Sequence, residues 1–588
     1  MARITTGAIP RAADPPSQTC GVARPPAGID LSTAADWRIS PLRSTQRNSD
    51  ARHDAAMKNT DAAAEPGLTR PQPAPVPQPA PVPQPAPVPA PVPVPQPTPM
   101  RAIALIAAGA FAVEMAVSGR YGYHRDELYF LAAGQHLAFG YVDQPPLTPL
   151  LARITAAATG NTLVGLRLLP ALALAGLVVA TAAMSRLLGA GRTGQLLAAL
   201  AAATCGEYLG AMHLLTTTTP DFVCWAVTLL LVLRLLASQN PRWWAAIGTC
   251  IGVAAEAKWN IAFLAAGLAI GFAATPARRL LASRWLLLGA VIAAALAAPD
   301  VIWQAAHGWP NLAVFRALQA AAGHNRATFW PAQVLYTGLA LTPVWVAGLI
   351  WSLRSAQARV FRPAAIACAA ALATLFVLGG KPYYPGAVFT LLFAAGSVPL
   401  ERWLAARRPL AGRITPAVAM GAVMIVSGTL ALPVALPVLP ARTMHAVPLQ
   451  KINYDLAETI AWPRLVALVA REYHALPGPQ RRRTAIITGN YGEAGAIDRY
   501  GAALGLPQAY CGDNNFWLWG PPPGADTSAI VVNMDPAFLH SEFASVRRVA
   551  TFENGIGVSD DEEGAEVFAA AGLRSSWRQA WPAFRNYS

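Results

Sequence analysis

The chain is poor in charged residues. Of its 588 residues, only 13% are Asp, Glu, Lys or Arg and 54% are hydrophobic, whereas about a quarter of a typical soluble domain is charged. The composition therefore excludes an ordinary soluble protein. Apolar runs of roughly 16–23 residues recur after Arg101, and a bilayer span needs about 20. We infer an all-α polytopic membrane protein, because the alternating pattern of an outer-membrane barrel does not occur.

Cysteines and nucleotide-binding motifs are also scarce. The six cysteines form no Cys-x-x-Cys pair, so the sequence indicates no disulfide or zinc framework. Neither a GxGxxG motif nor a phosphate-binding loop occurs, and nucleotide binding is therefore not supported. The net charge is +14, but Lys and Arg are not clustered with aromatic residues, so we expect no nucleic-acid partner.

The first hundred residues have a composition of their own. Residues 1–70 are polar without sustained periodicity, and residues 71–99 repeat Pro-Gln-Pro-Ala-Pro-Val. Such a tract forms extended polyproline II or stays disordered, so we predict a disordered, Pro-rich tail over residues 1–100. No cleavable signal peptide is evident. The true start is left open, since Met57 and Met100 both precede the first span.

Residues 101–440 are predicted to be the membrane domain. Eleven spans are expected, at about residues 102–119, 163–185, 195–213, 220–237, 243–257, 259–275, 284–302, 331–352, 364–379, 383–399 and 415–437. The fifth and sixth are short and could form one bent unit, which leaves ten. Arginines concentrate in alternate loops, and the positive-inside rule assigns those loops to the cytoplasm. The N-terminus is then cytoplasmic, and an odd number of spans puts the C-terminus outside.

Residues 441–588 are predicted to form a small extracytoplasmic α/β domain. Residues 455–475 have a helical pattern, and residues 484–488, 529–533 and 548–552 are typical of short strands. Strands that alternate with helical stretches favour an α/β arrangement.

Acids are rare in the apolar body, so the adjacent pair Asp126 and Glu127 after the first span suggests a site. Neighbouring residues of a helix point about 100° apart, so this pair cannot act as two facing carboxylates. One could serve a reaction while the other holds a metal, an arginine or the backbone. The alternative is that Asp126 pairs with Arg120 or Arg125 at the surface.

Other charged residues fall on the same predicted external side. Asp221 either is a second site carboxylate or complements the dipole of a helix in its first turn. Lys258 and Lys381 lie at external membrane edges, where a cation can bind lipid phosphate or simply snorkel to the interface. Metal ligation by His124 or His213 with the acids is left open, since their spacing matches no zinc signature.

Four segments taken together resemble a known family. They are YHRDELYF at 123–130, GYVDQPPLTPL at 140–150, PDVIWQAAHGWP at 299–310 and GKPYYPG at 380–386. The chain is similar here to the bacterial protein O-mannosyltransferase-like glycosyltransferases of the GT-C superfamily, which also holds the lipid A aminoarabinose transferases. The resemblance covers roughly residues 101–440, and the C-terminal part looks like the accessory domain of the same branch.

The resemblance implies a polyprenyl-phosphate-linked sugar donor and transfer with inversion, in a bacterial inner membrane. Asp126 matches the family's acidic position and would either be the general base or orient the acceptor. Glu127 would support it, and Asp221 matches the second acidic position. Lys381, with Lys258, would neutralise the leaving phosphate. Substrate contacts are also expected from Tyr123, His124, Asp143, Gln144, His307 and Tyr384.

The resemblance leaves the acceptor and the cofactor open. The acceptor is lipopolysaccharide or lipid A, another cell-envelope glycan, or a protein hydroxyl. No cofactor is certain, and a divalent metal ion is left open. The alternative function is a multi-pass transporter, which favours charges near the bilayer midplane and inverted repeats. The sequence shows no such repeat, and its acids gather at one edge.

Overall fold

The computed structural model describes residues 97–409 and 415–587. Apart from its last four residues, the predicted Pro-rich tail lies outside these ranges, and so does Cys20. The described residues belong to one compact unit by their contacts. Helices make up its first part, and a mixed sheet with short helices makes up its last part.

The helices of the first part surround a long apolar core. In chain order they are α1 Met100–Val117, α2 Arg125–Gln135, α3 Leu147–Thr159, α4 Leu163–Leu166, α5 Leu168–Leu187, α6 Arg192–Ala203, α7 Gly206–Ala211, α8 Thr218–Ser238, α9 Trp243–Ala255, α10 Ile261–Ala273, α11 Arg284–Ala306, α12 Pro310–Gln319, α13 Ala322–Thr337, α14 Thr342–Arg354, α15 Arg362–Leu378, α16 Val388–Ala405 and α17 Pro416–Ala435.

Within the described ranges, seven helical segments are long and apolar enough to cross a membrane, or up to eight if α13 and α14 count as one bent span. The predicted number of eleven is therefore not confirmed. The predicted span 195–213 is divided into α6 and α7, and the span 331–352 crosses a bend of 108° between α13 and α14. Helices α9 and α10 have 13 residues each, about 20 Å, less than the ~30 Å hydrocarbon core.

Small residues let neighbouring helices approach closely. A Cβ atom on Gly248 of α9 would lie 2.0 Å from the carbonyl oxygen of Gly289 on α11. A Cβ atom on Gly396 of α16 would lie 2.0 Å from the carbonyl oxygen of Val344 on α14. Without a hydrophobic driving force between helices in lipid, such close backbone packing is what holds them together.

The last part is a five-stranded sheet with helices. Its helices are α18 Thr443–Ala446, α19 Trp462–His474, α20 Gly478–Arg481, α21 Tyr491–Tyr500, α22 Asn514–Leu518, α23 Pro536–Glu542 and α24 Trp577–Ala580. Its strands are β1 Thr484–Thr488, β2 Ala509–Cys511, β3 Ser528–Val532, β4 Phe543–Thr551 and β5 Glu566–Leu573. The order is β2-β1-β3-β5-β4, with β2, β1 and β3 parallel and β5 antiparallel to both of its neighbours.

The α/β prediction for this part is confirmed. The first two predicted strands match β1 and β3 to within one residue, and the third is the end of the longer β4. The predicted helix at 455–475 is interrupted instead. A 3₁₀ helix covers Tyr454–Thr459, Ala461 has a φ of +65°, and α19 begins at Trp462. The domain boundary near residue 440 stays a prediction.

Candidate functional site

The two adjacent acids lie in the first turn of α2, and their backbone is held by a capping box. The imidazole Nδ1 of His124 accepts a hydrogen bond from the Asp126 backbone N–H at 3.2 Å. Glu127 Oε2 accepts one from the His124 backbone N–H at 2.9 Å. These reciprocal bonds satisfy donors that a helix N-terminus otherwise leaves free, so the start of α2 and the direction of the Glu127 side chain are fixed.

Glu127 is fully buried, and both of its carboxylate oxygens accept hydrogen bonds. It lies against the equally buried Arg167, whose Nε and Nη2 donate to its two oxygens at 3.1 and 2.8 Å. The Leu215 backbone N–H donates to it as well, at 3.2 Å. Arg167 also donates to the carbonyl oxygens of Ser118 and Gly122. Glu127 therefore ties α2 to the start of α5 and has no oxygen left for a substrate.

Asp126 has a different environment, with a side chain that is 33% exposed. Its Oδ1 accepts a hydrogen bond from the Tyr491 hydroxyl at 2.8 Å. Its Oδ2 lies 3.9 Å from His124 Nδ1, beyond hydrogen-bond distance. One carboxylate oxygen is thus held by the C-terminal part, and the other is available.

The surface pairing considered for Asp126 does not occur. Arg125 instead donates from Nη1 to Glu458 at 3.1 Å and to Asp561 at 2.6 Å, and Arg120 donates to the Val438 carbonyl. Burial raises the pKa of Glu458, and Arg125 opposes that rise. Arg125 is therefore occupied by the acids of the C-terminal part, and no arginine within residues 97–409 and 415–587 forms an ion pair with Asp126.

A second group of residues forms around the α9–α10 turn. Asn260 donates from Nδ2 to Asp221 at 3.1 Å and to the Tyr384 carbonyl at 2.8 Å. The Lys258 ammonium lies 4.3 Å from the ring centroid of Tyr384 and 5.1 Å from that of Tyr383. Asp221 interacts electrostatically with Lys258 and lies in the first turn of α8, as the helix-dipole alternative requires. The turn therefore joins α8 to the loop between α15 and α16.

Asp455 of the C-terminal part approaches the start of α2. Its Oδ1 lies 3.9 Å from His124 Nε2, and Asp455 lines a pocket of about 270 Å³, counted with its open mouth, beside Arg120 and Arg167. One acid from α2, Asp126, and one from the C-terminal part, Asp455, thus lie near the two ring nitrogens of His124.

Asp143 follows α2 in the chain and lies near its start in space. It accepts a hydrogen bond from the Tyr129 hydroxyl at 2.7 Å. Burial raises the pKa of Asp143 to about 7, with Asp126 adding to the rise and the Tyr129 hydrogen bond opposing it. The next residue, Gln144, is buried, and its side-chain amide has no hydrogen-bond partner among the residues that the structure describes.

Three further predicted residues are not drawn into these groups. The Tyr123 hydroxyl accepts from Arg499 at 3.2 Å, and its ring packs edge-on against Tyr500. The ring of His307 stacks on Trp303 at 4.0 Å. The half-buried side chain of Lys381 makes no hydrogen bond or ion pair within residues 97–409 and 415–587.

No group of three or more His, Cys, Asp or Glu side chains in the described part of the chain could hold a metal ion. A divalent cation therefore stays a prediction. The residues that sequence reasoning missed are Arg167, Asn260, Tyr383, Asp455 and Tyr491. Arg167 had a visible signal, since a charge inside an apolar span usually has a functional or structural partner.

Comparison with known proteins adds a match to a family model over part of the chain and a fold. Residues 143–303 match the family model of dolichyl-phosphate-mannose-protein mannosyltransferases, and this range contains Asp143, Asp221 and Lys258. The structure is similar to a crystal structure of ArnT from Cupriavidus metallidurans bound to undecaprenyl phosphate. The TM-score is 0.50 at 16% identity, over 80% of this chain and 98% of that one.

The chain has the fold of this ArnT structure. The fold class inferred from its sequence is thereby confirmed. The apo form of the same ArnT matches with a TM-score of 0.48 at 17% identity, over 80% of this chain and 97% of that one. An oligosaccharyltransferase from Archaeoglobus fulgidus matches with 0.38 at 15% identity, over 70% and 61%. No curated protein sequence matches the chain at a significant level.

Proposed function

We propose that this protein transfers a hexose or pentose from a polyprenyl-phosphate donor to an extracytoplasmic acceptor, with inversion. The observation that carries the proposal is a partly exposed carboxylate at the start of α2 together with a lysine at the α9–α10 turn. Asp126 offers a carboxylate oxygen without a hydrogen bond, and Lys258 offers an ammonium on the faces of two tyrosines. A base for an acceptor and a cation for a lipid phosphate are what such a transfer requires.

Asp126 is the proposed general base. Its Oδ2 takes the proton of an acceptor hydroxyl while the hydroxyl oxygen bonds to the anomeric carbon of the sugar. The bond from that carbon to the phosphate oxygen breaks on the opposite face, so the configuration inverts, and the electron pair leaves with the polyprenyl phosphate. A positioned base contributes about 10²–10⁴-fold to the rate of such a reaction.

Lys258 is the proposed phosphate-binding cation. Its position over Tyr383 and Tyr384 is a cation–π arrangement. The Lys258 ammonium also interacts electrostatically with Asp221, without a direct hydrogen bond between the two side chains. Charge that develops on a leaving phosphate is stabilised most by a cation already in position. Lys381 is two residues before Tyr383 and is proposed as a second, more mobile cation.

Asp221 and Glu127 are proposed to act through other residues. Asp221 holds the α9–α10 turn through Asn260, and Glu127 holds α2 through Arg167. Neither needs to touch the reacting atoms.

The acceptor is proposed to be lipopolysaccharide or lipid A, another envelope glycan, or a protein hydroxyl. The membrane is proposed to be the bacterial inner membrane, with the N-terminus in the cytoplasm. Arginine-rich alternate loops support that orientation, and it places the start of α2 and the C-terminal part on the outer side.

A direct test uses the purified protein in liposomes with a panel of radiolabelled polyprenyl-phosphate sugars and isolated cell-envelope fractions. We expect one donor to give a labelled product and an equal amount of free polyprenyl phosphate. Lys258→Met should raise the KM for that donor at least tenfold, whereas the exposed Lys451→Met should not. Release of no polyprenyl phosphate with any donor, or equal kinetics for the two variants, would contradict the proposal.

A further inference from the structure

The C-terminal part reaches the first turn of α2 through α21. Helix α21 follows β1 directly, and its own start is fixed by a capping box between Asn490 and Glu493. Glu493 Oε2 accepts hydrogen bonds from the backbone N–H groups of Gly489 and Asn490 at 3.0 and 3.3 Å. The first residue of α21, Tyr491, is therefore placed by the sheet rather than by a free loop.

Two glycines bring α21 against α2. A Cβ atom on Gly492 would lie 2.9 Å from Cβ of Arg125, and a Cβ atom on Gly495 would lie 2.9 Å from Cβ of Leu128. Real Cβ atoms do not approach side chains that closely, so a larger residue at either position would push the helices apart. The close spacing between α21 and the first turns of α2 thus depends on Gly492 and Gly495 having no side chain.

The ring of Tyr491 is held on two sides. The guanidinium of Arg125 lies 4.9 Å from its centroid, and the ring of Tyr129 lies 4.9 Å away at an angle of 38°. Arg125 is itself held by Glu458 and Asp561. A tyrosine clamped in this way has little rotamer freedom left, so its hydroxyl has a defined direction.

We infer that Tyr491 is a positioning residue for the glycosyl transfer proposed above. Its hydroxyl donates to Asp126 Oδ1 at 2.8 Å and so leaves Oδ2, which lies 3.9 Å from His124 Nδ1, as the oxygen that can take a proton. The C-terminal part then completes the catalytic group instead of merely covering it. The inference rests on the proposed function, because it assigns the partner of the proposed base.

The electrostatics agree with this direction of the hydrogen bond. Burial, and then the charge of Asp126, raise the pKa of Tyr491 well above its ordinary value. The hydroxyl therefore keeps its proton and acts as the donor.

The test compares Tyr491→Phe with Tyr500→Phe. Both variants remove one hydroxyl from the same helix, and both keep the ring that packs there. Loss of a hydrogen bond to a charged group corresponds to about a ten- to hundredfold effect. We expect Tyr491→Phe to lower kcat by that factor with little change in KM for the donor.

Two further variants test the positioning role of Tyr491. The double variant Asp126→Asn with Tyr491→Phe should be no slower than Asp126→Asn alone, because Tyr491 acts through Asp126. Tyr500→Phe should keep the wild-type rate. A wild-type kcat for Tyr491→Phe, in an assay where the wild type transfers sugar, would overturn this inference alone. Absence of transfer by the wild type would overturn the proposed function and this inference with it.

Discussion

Replacement of Glu127 by Gln should destabilise the protein far more than replacement of Asp126 by Asn. Each oxygen of Glu127 accepts one hydrogen bond from Arg167 and one from a backbone N–H. Either orientation of a glutamine amide would therefore turn its NH₂ group against two donors. Arg167 would also remain buried without a counter-charge.

The expected loss follows from that burial. Breaking a buried pair by removing one charge costs about 3–5 kcal/mol, a large share of the ~5–15 kcal/mol that separates folded from unfolded domains. Asp126 is partly exposed and accepts one side-chain hydrogen bond, which an asparagine oxygen can still accept. We expect its amide variant to lose about 1 kcal/mol or less.

The assay is thermal unfolding in detergent, with Glu472→Gln as the matched control. Glu472 pairs with Arg471, whose side chain is 68% exposed, and exposed pairs contribute little. The expected order of apparent Tm is wild type, Glu472→Gln and Asp126→Asn close together, and Glu127→Gln clearly lowest. A Glu127→Gln variant as stable as the Glu472→Gln variant would refute the structural role of Glu127.

Two more predictions concern the C-terminal part. Burial raises the pKa of Glu493 to about 8 from an ordinary 4.5. Between these two pH values the unfolded chain releases a proton that the folded chain keeps. The stability of the folded protein therefore falls as pH rises through this range. Glu493→Gln should reduce that fall in unfolding experiments from pH 5 to 8, and an unchanged slope would contradict the assignment. Gly495→Val should lower stability by about 1–3 kcal/mol, because the larger side chain would overpack against Leu128. Gly176→Val is the control and should not lower it, since a Cβ at Gly176 meets nothing within 4 Å. Equal apparent Tm values for the two variants would speak against the close contact of α2 and α21.

Local pattern was enough to predict most of the elements. Apolar runs locate the long helices, and the short buried runs at 484–488 and 529–533 are β1 and β3. The bend between α13 and α14 was missed because hydropathy continues through it. The bend depends on the backbone conformation of Gly338, whose φ is +97°. It also depends on packing between helices, which the hydropathy of one segment does not show.

The site was predictable only in part. The orientation of the spans predicts that Asp126, Asp221 and Lys258 lie on the same side of the membrane. The hydrogen bond of Tyr491 to Asp126 joins residues 365 positions apart, and the approach of Asp455 to His124 is similarly distant in sequence. Such contacts arise from the docking of the sheet part on α2, for which local sequence carries no signal.

The most direct measurement of the central claim is sugar transfer by Asp126→Asn. The active donor is supplied to purified wild type, to Asp126→Asn and to Glu553→Gln, an exposed carboxylate that serves as control. The account predicts that Asp126→Asn stays folded and binds donor, yet transfers at least about 100-fold more slowly, within the 10²–10⁴-fold contribution of a base. Transfer by Asp126→Asn at the rate of the wild type and of Glu553→Gln would contradict it.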